Sequence, residues 1–135
     1  MKYLSGTMIA AGVLAMLYFQ QARADVVVIV SAQSTTTSLS SAQIARIFQG
    51  KSNIMTPVDI RAPSGTRNEF YRKVVGSDAH VRAEWSKLLF TGKVSAPKEL
   101  DAAEVVRAVA ANPNAIGYVD KTFVNMTVKI IYTVK

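Results

Sequence analysis

Residues 61–70 read Arg-Ala-Pro-Ser-Gly-Thr-Arg-Asn-Glu-Phe, and the chemistry this arrangement suits is the binding of an oxyanion. Ser64-Gly65-Thr66 is a short polar turn that leads into a helical pattern. The first amides of a helix have no intrahelical partner, and the helix dipole places partial positive charge there. Gly65 has no side chain to hold an anion off the backbone, and Ser64 and Thr66 add two hydroxyl donors. Arg61, just upstream, brings a planar fork of donors that matches phosphate or carboxylate oxygens. Arg67, just after the turn, is a second candidate cation, although its position equally suits a solvated surface charge. A simpler reading of the same residues is that Ser64 only caps the helix. Taken alone, the ten residues leave both readings open.

Other chemistries lack their residues. The chain has no cysteine and a single histidine, His80, at a helix start among polar residues. No common nucleophilic triad, thiolate metal site or zinc centre assembles from that set. There is no phosphate loop of the G-x-x-x-x-G-K-[ST] type. Glu69 is spaced to pair with Lys73 on a helix surface. The sequence therefore predicts no catalytic residue, no metal site and no cofactor.

The elements around the turn follow from the hydrophobic pattern. Val26 to Val30 is an unbroken β-branched run, as expected of a strand covered on both faces. A serine- and threonine-rich loop follows, and Ser40 with Gln43 forms a capping box for a helix with Ile44, Ile47 and Phe48 on one face. Gly50 stops it. Residues 57–62 read as a second strand, with Val58 and Ile60 on one face and Asp59 and Arg61 on the other. The helix after Ser64 carries Phe70, Tyr71, Val74 and Val75. Asp78 suits the cap of the next helix, whose inward stripe is Val81, Trp85, Leu88 and Leu89. Asp101 and Glu104 open a helix with Val105, Val106 and Val109, stopped at Asn112-Pro113-Asn114. Residues 115–119 form a third strand. Residues 126–134 form a closing strand with Val128, Ile130, Tyr132 and Val134 on one face. Alternating strands and helices predict an α/β domain with a small, mostly parallel sheet flanked by helices. Were the first two strands parallel neighbours, the Ser/Thr loop and the Ser64 turn would open on one edge, where such sheets bind ligands.

The N-terminus reads as a secretory signal over 1–24: Lys2, a mostly apolar run from Met8 to Phe19, and Ala22-Arg23-Ala24 as the cleavage site. The apolar run is short for a membrane span. Without a cysteine, lipid anchoring at the cleavage point is excluded. The remaining 25–135 make one domain with a net charge of +5, which favours anionic partners in general. Export into a periplasm argues against nucleic acid, as does the lack of an aromatic-interleaved basic stripe.

Four segments together resemble the periplasmic phosphate-binding proteins of phosphate ABC transporters, of the type II periplasmic-binding class. Ile47-Phe48-Gln49-Gly50-Lys51 resembles their I-F-x-G-K helix end. Ser64-Gly65-Thr66 with Phe70 resembles the S-G-T-x-x-x-F phosphate turn. Phe90-Thr91-Gly92-Lys93 resembles a short loop motif, and residues 112–119 resemble the P-G-A-I-G-Y-V segment. The resemblance covers 44–120 and only the second of that family's two lobes. It implies a single lobe of the binding-protein type, with Ser64, Gly65 and Thr66 on phosphate and an arginine before them. Four departures stand out. The spacing from Arg61 to Ser64 is one residue shorter. The tryptophan that often follows I-F-x-G-K is absent, with Ile54 and Met55 nearby, and Asn114 replaces a glycine. The first lobe's ligands are missing, among them a carboxylate that accepts the proton of hydrogen phosphate. Asp59, on the Arg61 face of its strand, is placed either to substitute for that carboxylate or to pair with Arg61.

The resulting expectation is a periplasmic binding protein for phosphate or a similar oxyanion, with Arg61, Ser64, Gly65, Thr66 and Arg67 as its site. It would serve uptake or sensing with an ABC permease or another envelope protein, and would not be membrane-embedded once the signal is cleaved. The competing expectation is a cell-envelope interaction protein that keeps the lobe fold without ligand transport. The two differ in whether Arg61 faces the Ser64 turn.

Overall fold

The computed structural model describes residues 25–92 and 94–135; the expected signal segment, 1–24, lies outside them. Its elements run β1 (Val26–Ser31), α1 (Ser41–Phe48), β2 (Thr56–Ile60), α2 (Gly65–Phe70, continued by a wider π turn, Tyr71–Val75), α3 (Asp78–Leu89), β3 (Lys98–Leu100), α4 (Ala102–Ala111), β4 (Ala115–Asp120) and β5 (Val128–Thr133), with a 3-10 turn at Lys121–Phe123. The strands form one sheet in the order β3-β2-β4-β1-β5. β2 lies parallel to β3 and to β4, whereas β1 is antiparallel to both β4 and β5. Four strands thus share one direction and β1 opposes them. The architecture is the expected α/β lobe, with a mixed sheet flanked by helices.

β1 is an interior strand between β4 and β5, and all six of its residues are buried, which explains the unbroken Val-Val-Val-Ile-Val run. Its reversed direction has a consequence for ligand loops. The Ser/Thr-rich loop after β1 leaves from the edge where β2 and β4 begin, so it lies at the opposite end of the sheet from the Ser64 turn. The expectation that both loops open together is corrected.

α1 starts with the complete capping box, Ser40 bonded to Gln43 in both directions, and buries Ile44, Ile47 and Phe48. Gly50 ends it at φ +76°, a backbone conformation that favours glycine, and a Cβ there would press on the tip of Leu88 at 2.6 Å. α4 lies on the sheet through Val105, Val106 and Val109. It approaches β4 closely because Gly117 has no side chain: a Cβ would meet Val105 at 2.8 Å and Val109 at 3.0 Å.

Three sequence expectations change in detail. Ser77, not Asp78, caps α3, accepting from the His80 amide. Only Val81 of α3's stripe is fully buried; Trp85 is partly buried and Leu89 is exposed. In β5 the pairing with β1 shifts between Val28 and Ile29, which inserts Ile131 as an extra residue. The alternation flips there, so Ile131 is buried and Ile130 faces out.

Candidate functional site

The Ser64 turn leaves the carboxyl end of β2. Ser64 is extended (φ −158°), and its hydroxyl oxygen accepts from the Arg67 amide at 3.1 Å, while its carbonyl accepts from the Asn68 amide at 2.9 Å. Ser64 therefore does cap α2. Capping uses the amides of Arg67 and Asn68 and leaves those of Gly65 and Thr66 without an intrahelical acceptor. No atom lies within 4 Å of where a Gly65 Cβ would be, so the turn is open from outside.

Arg61 is bonded elsewhere. Its Nη1 lies 2.6 Å from Asp101 Oδ1, and its Nη2 donates to the Glu99 carbonyl at 3.2 Å. Both partners lie at the end of β3 and the start of α4. Asp101, although at the N-cap of α4, makes no side-chain cap bond. The pair is exposed, with side chains 53% and 68% accessible.

Arg67 is the largest departure from the sequence reading. It is no solvated surface charge but a buried cation at the centre of a polar cluster. Nη1 lies 2.9 Å from Asp59 Oδ1 and donates to the Ile60 carbonyl at 2.8 Å. Nη2 reaches Asp78 Oδ1 at 3.0 Å. The guanidinium carbon sits 4.5 Å from the Tyr71 ring centroid. Its Nε is buried with no hydrogen-bond partner. Asp59, also buried, accepts from the hydroxyls of Tyr71 and Tyr118 and from the Ile60 amide. Neither role expected for Asp59 holds geometrically: it does not pair with Arg61, and its carboxylate is enclosed among these donors.

The electrostatics follow from enclosure. Burial pushes the Asp59 carboxyl upward, against the Tyr118 and Tyr71 hydroxyls and the Arg67 charge, which hold it down. Burial also works against the Arg67 charge, but Asp59 and Asp78 outweigh it and hold the guanidinium above its ordinary value. Burial beside the Asp59 carboxylate raises both phenols, since a phenolate there would meet a like charge. Arg82 approaches Asp78 at 3.3 Å from the solvent side. A cleft of about 190 Å³ adjoins this cluster, walled by Trp85, Val81 and Pro97 with Asp59, Asp78 and Glu99 among its lining. With those three carboxylates against Arg67 and Arg82, the cleft does not favour an anion.

The structure thus gathers Ser64, Gly65 and Thr66 at one open turn, ties Arg61 to Asp101 beside it, and sets Arg67 beneath it as a brace. The Asp59–Arg67–Tyr71–Tyr118 cluster escaped the sequence reading. Its one signal was Arg67 three residues before Phe70 and four before Tyr71, at the spacing of a helix's inner face. Among the described residues no group of three or more acidic, histidine or cysteine side chains is arranged to hold a metal. No helix among them is long and apolar enough to cross a membrane.

The arrangement is that of one α/β lobe with an open turn at the carboxyl edge of its sheet. No sequence-family profile matches the chain, and no curated protein does. Solved structures match the fold. A phosphate ABC transporter substrate-binding protein from Clostridium perfringens, solved with bound phosphate, superimposes with a TM-score of 0.65 at 20% identity. An ABC-type phosphate transport receptor from Vibrio cholerae gives 0.62 at 20% identity, and PstS from Borrelia burgdorferi gives 0.60 at 12%. Each covers 80% of this chain, whereas the chain spans only 44%, 45% and 46% of them. The fold is therefore that of a single lobe of such binding proteins.

Proposed function

We propose that the domain binds inorganic phosphate or a similar oxyanion at the Ser64-Gly65-Thr66 turn, in the periplasm after removal of 1–24, for phosphate uptake or sensing alongside an ABC permease or another envelope protein. The observation that carries this reading is the turn itself. Three consecutive residues supply two helix-leading amides and two hydroxyls around an open glycine, on a fold shared with phosphate-binding proteins. Arg61 joins by leaving Asp101. An exposed ion pair is worth about 0.2–1 kcal/mol, whereas a hydrogen bond to a charged group contributes about 1.5–3 kcal/mol, so the exchange favours the anion. Arg67 contributes from below by fixing the turn against β2. Asp25 precedes β1 and its carbonyl accepts from the Lys121 amide at 2.7 Å, so cleavage after residue 24 leaves the sheet whole.

One observation favours the second reading, an envelope interaction protein that retains the lobe without ligand transport: Arg61 rests on Asp101 and Glu99 rather than on the turn. Thermal unfolding of residues 25–135 in phosphate, sulfate and chloride at matched ionic strength separates the two. Binding to the folded state alone raises stability by about 2.7 kcal/mol at a hundredfold excess over Kd, a shift of several degrees for a domain of this size. Equal melting temperatures in all three salts support the interaction protein.

A further inference from the structure

We propose that the edge of the sheet opposite the Ser64 turn docks on an anionic phospholipid surface. β2, β3, β4 and β5 all begin at this edge, and β1 ends there. The loops that meet there are held together by contacts: the Thr56 amide donates to the Asn114 carbonyl, and the Ala32 amide to the Thr127 carbonyl. A second cleft gathers Trp85, Ser95, Thr56 and Asn112 at the same end.

This edge carries the most exposed large apolar side chains among the described residues. Phe90, just past the end of α3, is 91% accessible, and Met126, before β5, is 94% accessible. Ile54, two residues before β2, is 59% accessible, and Leu89 and Val94 are exposed between them and β3. Isolated exposed apolar residues are ordinary. Several on separate loops at one end of a small domain are a surface with a use.

Charge identifies the occupant. Residues 32–58, 85–98, 105–119 and 121–135, which supply this edge, contain no aspartate or glutamate. Lys87, Lys98 and Lys129 lie in the same segments near the edge; Lys87 is well exposed and reaches Glu84 at 3.5 Å, and Lys129 Nζ donates to the Ser34 carbonyl. Four carboxylates sit at the turn's edge, Asp101 and Glu104 at the start of α4, Asp120 at the end of β4 and Asp25 before β1, whereas Glu84 and Glu99 flank the basic segments. The segments at this edge are therefore basic and apolar, while the turn's edge mixes Asp25, Asp101, Glu104 and Asp120 with Arg61 and Lys121. Apolar tips flanked by lysines match an anionic headgroup layer, which attracts each nearby lysine by about 1 kcal/mol while the tips enter the acyl boundary. A protein partner of the same apolar character would not require edge segments that carry lysines and no carboxylate of their own. Docked this way, the domain holds the Ser64 turn away from the bilayer, and the inference stands whether or not the turn binds phosphate.

The test uses residues 25–135, which contain every described strand and helix, and vesicles of phosphatidylcholine alone or mixed equally with phosphatidylglycerol. The domain should sediment with the mixed vesicles, only weakly with pure phosphatidylcholine, and less as salt rises. Phe90→Ser with Met126→Ser should lower partitioning at least about tenfold, because each removes an apolar side chain that would leave water. Phe123→Ser, an exposed aromatic just after β4 at the other edge, is the matched control and should bind like wild type. Absence of sedimentation with the mixed vesicles at low salt overturns the proposal and leaves a protein as the partner. So does unchanged binding by the double variant, or an equal loss in Phe123→Ser, either of which would reduce the effect to unspecific charge.

Discussion

The guanidinium of Arg67 and the carboxylate of Asp59 meet at 2.9 Å inside the domain, each almost wholly withdrawn from solvent. The pair joins the first turn of α2 to the end of β2, and Asp78 extends it to the start of α3. It thereby sets where the Ser64 turn stands relative to the sheet.

Removing one partner should be severe. Arg67→Ala strands the Asp59 carboxylate, and Asp59→Ala strands the guanidinium. An uncompensated buried charge costs about 3–5 kcal/mol, a large part of the stability of a domain this size. The double variant Asp59→Leu with Arg67→Met should lose clearly less than the sum, because no charge is left unpaired. Urea unfolding of the three variants measures this coupling, and simple additivity would show that the pair is not coupled in the folded state.

The two phenols predict how the domain fails in alkali. Tyr71 and Tyr118 are raised above their ordinary value in the fold, by burial first and then by Asp59. A group with a raised folded value contributes stability that is fully present below its unfolded pKa, about 10 for tyrosine. That stability is lost as pH rises beyond it. Stability should therefore be insensitive to these groups near neutrality and fall above about pH 10. Both phenols should ionise in the same step as loss of the near-ultraviolet circular dichroism. Ionisation of either one while the aromatic signal persists would contradict the enclosed cluster.

Two glycines predict opposite outcomes for one substitution. Gly117→Ala places a methyl group against Val105 and Val109 under α4, and overpacking of that kind costs about 1–3 kcal/mol. Gly65→Ala meets no atom within 4 Å, and at a first helical position it should leave stability unchanged or slightly raised. Thermal unfolding of the two variants side by side checks the packing of α4 and the openness of the turn together.

What the sequence revealed, and what it hid, divides by range of interaction. The capping box at Ser40, the stop at Gly50 and the buried faces of α1 and α4 were legible because each is decided within one or two turns of chain. The position of the Ser64 turn and its helix cap was legible for the same reason. The direction of β1 was not, because an apolar strand reads the same whichever way its neighbours run. β3 escaped notice at three residues, paired only through its backbone to β2. The face of Asp59 misled: alternation put it beside Arg61, while its true partners, Arg67, Tyr71 and Tyr118, come from another helix and from a strand far along the chain. A polar residue in a strand reads as solvent-facing until the groups that satisfy it are known.

Arg61 decides between the two functional readings, and its partner Asp101 supplies the sharper test. Arg61→Ala should weaken phosphate binding by roughly 10- to 150-fold, the loss of one charge-assisted hydrogen bond. It should scarcely affect stability, because the side chain is half-exposed and its ion pair is a surface one. Asp101→Asn removes the carboxylate that now holds the guanidinium yet keeps a residue suited to the N-cap of α4. If Arg61 swings to the anion, this variant should bind phosphate up to about fivefold more tightly than wild type, since the competing pair is worth at most about 1 kcal/mol. Arg61→Lys should recover only part of the affinity, because a point charge does not reproduce the fork. Calorimetric titration of these three variants and of Gly65→Val with phosphate and with sulfate measures each change. Tighter binding in Asp101→Asn with weaker binding in Arg61→Ala places the arginine in the site. If both variants bind like wild type while Gly65→Val does not, the turn binds the anion through its amides and hydroxyls alone.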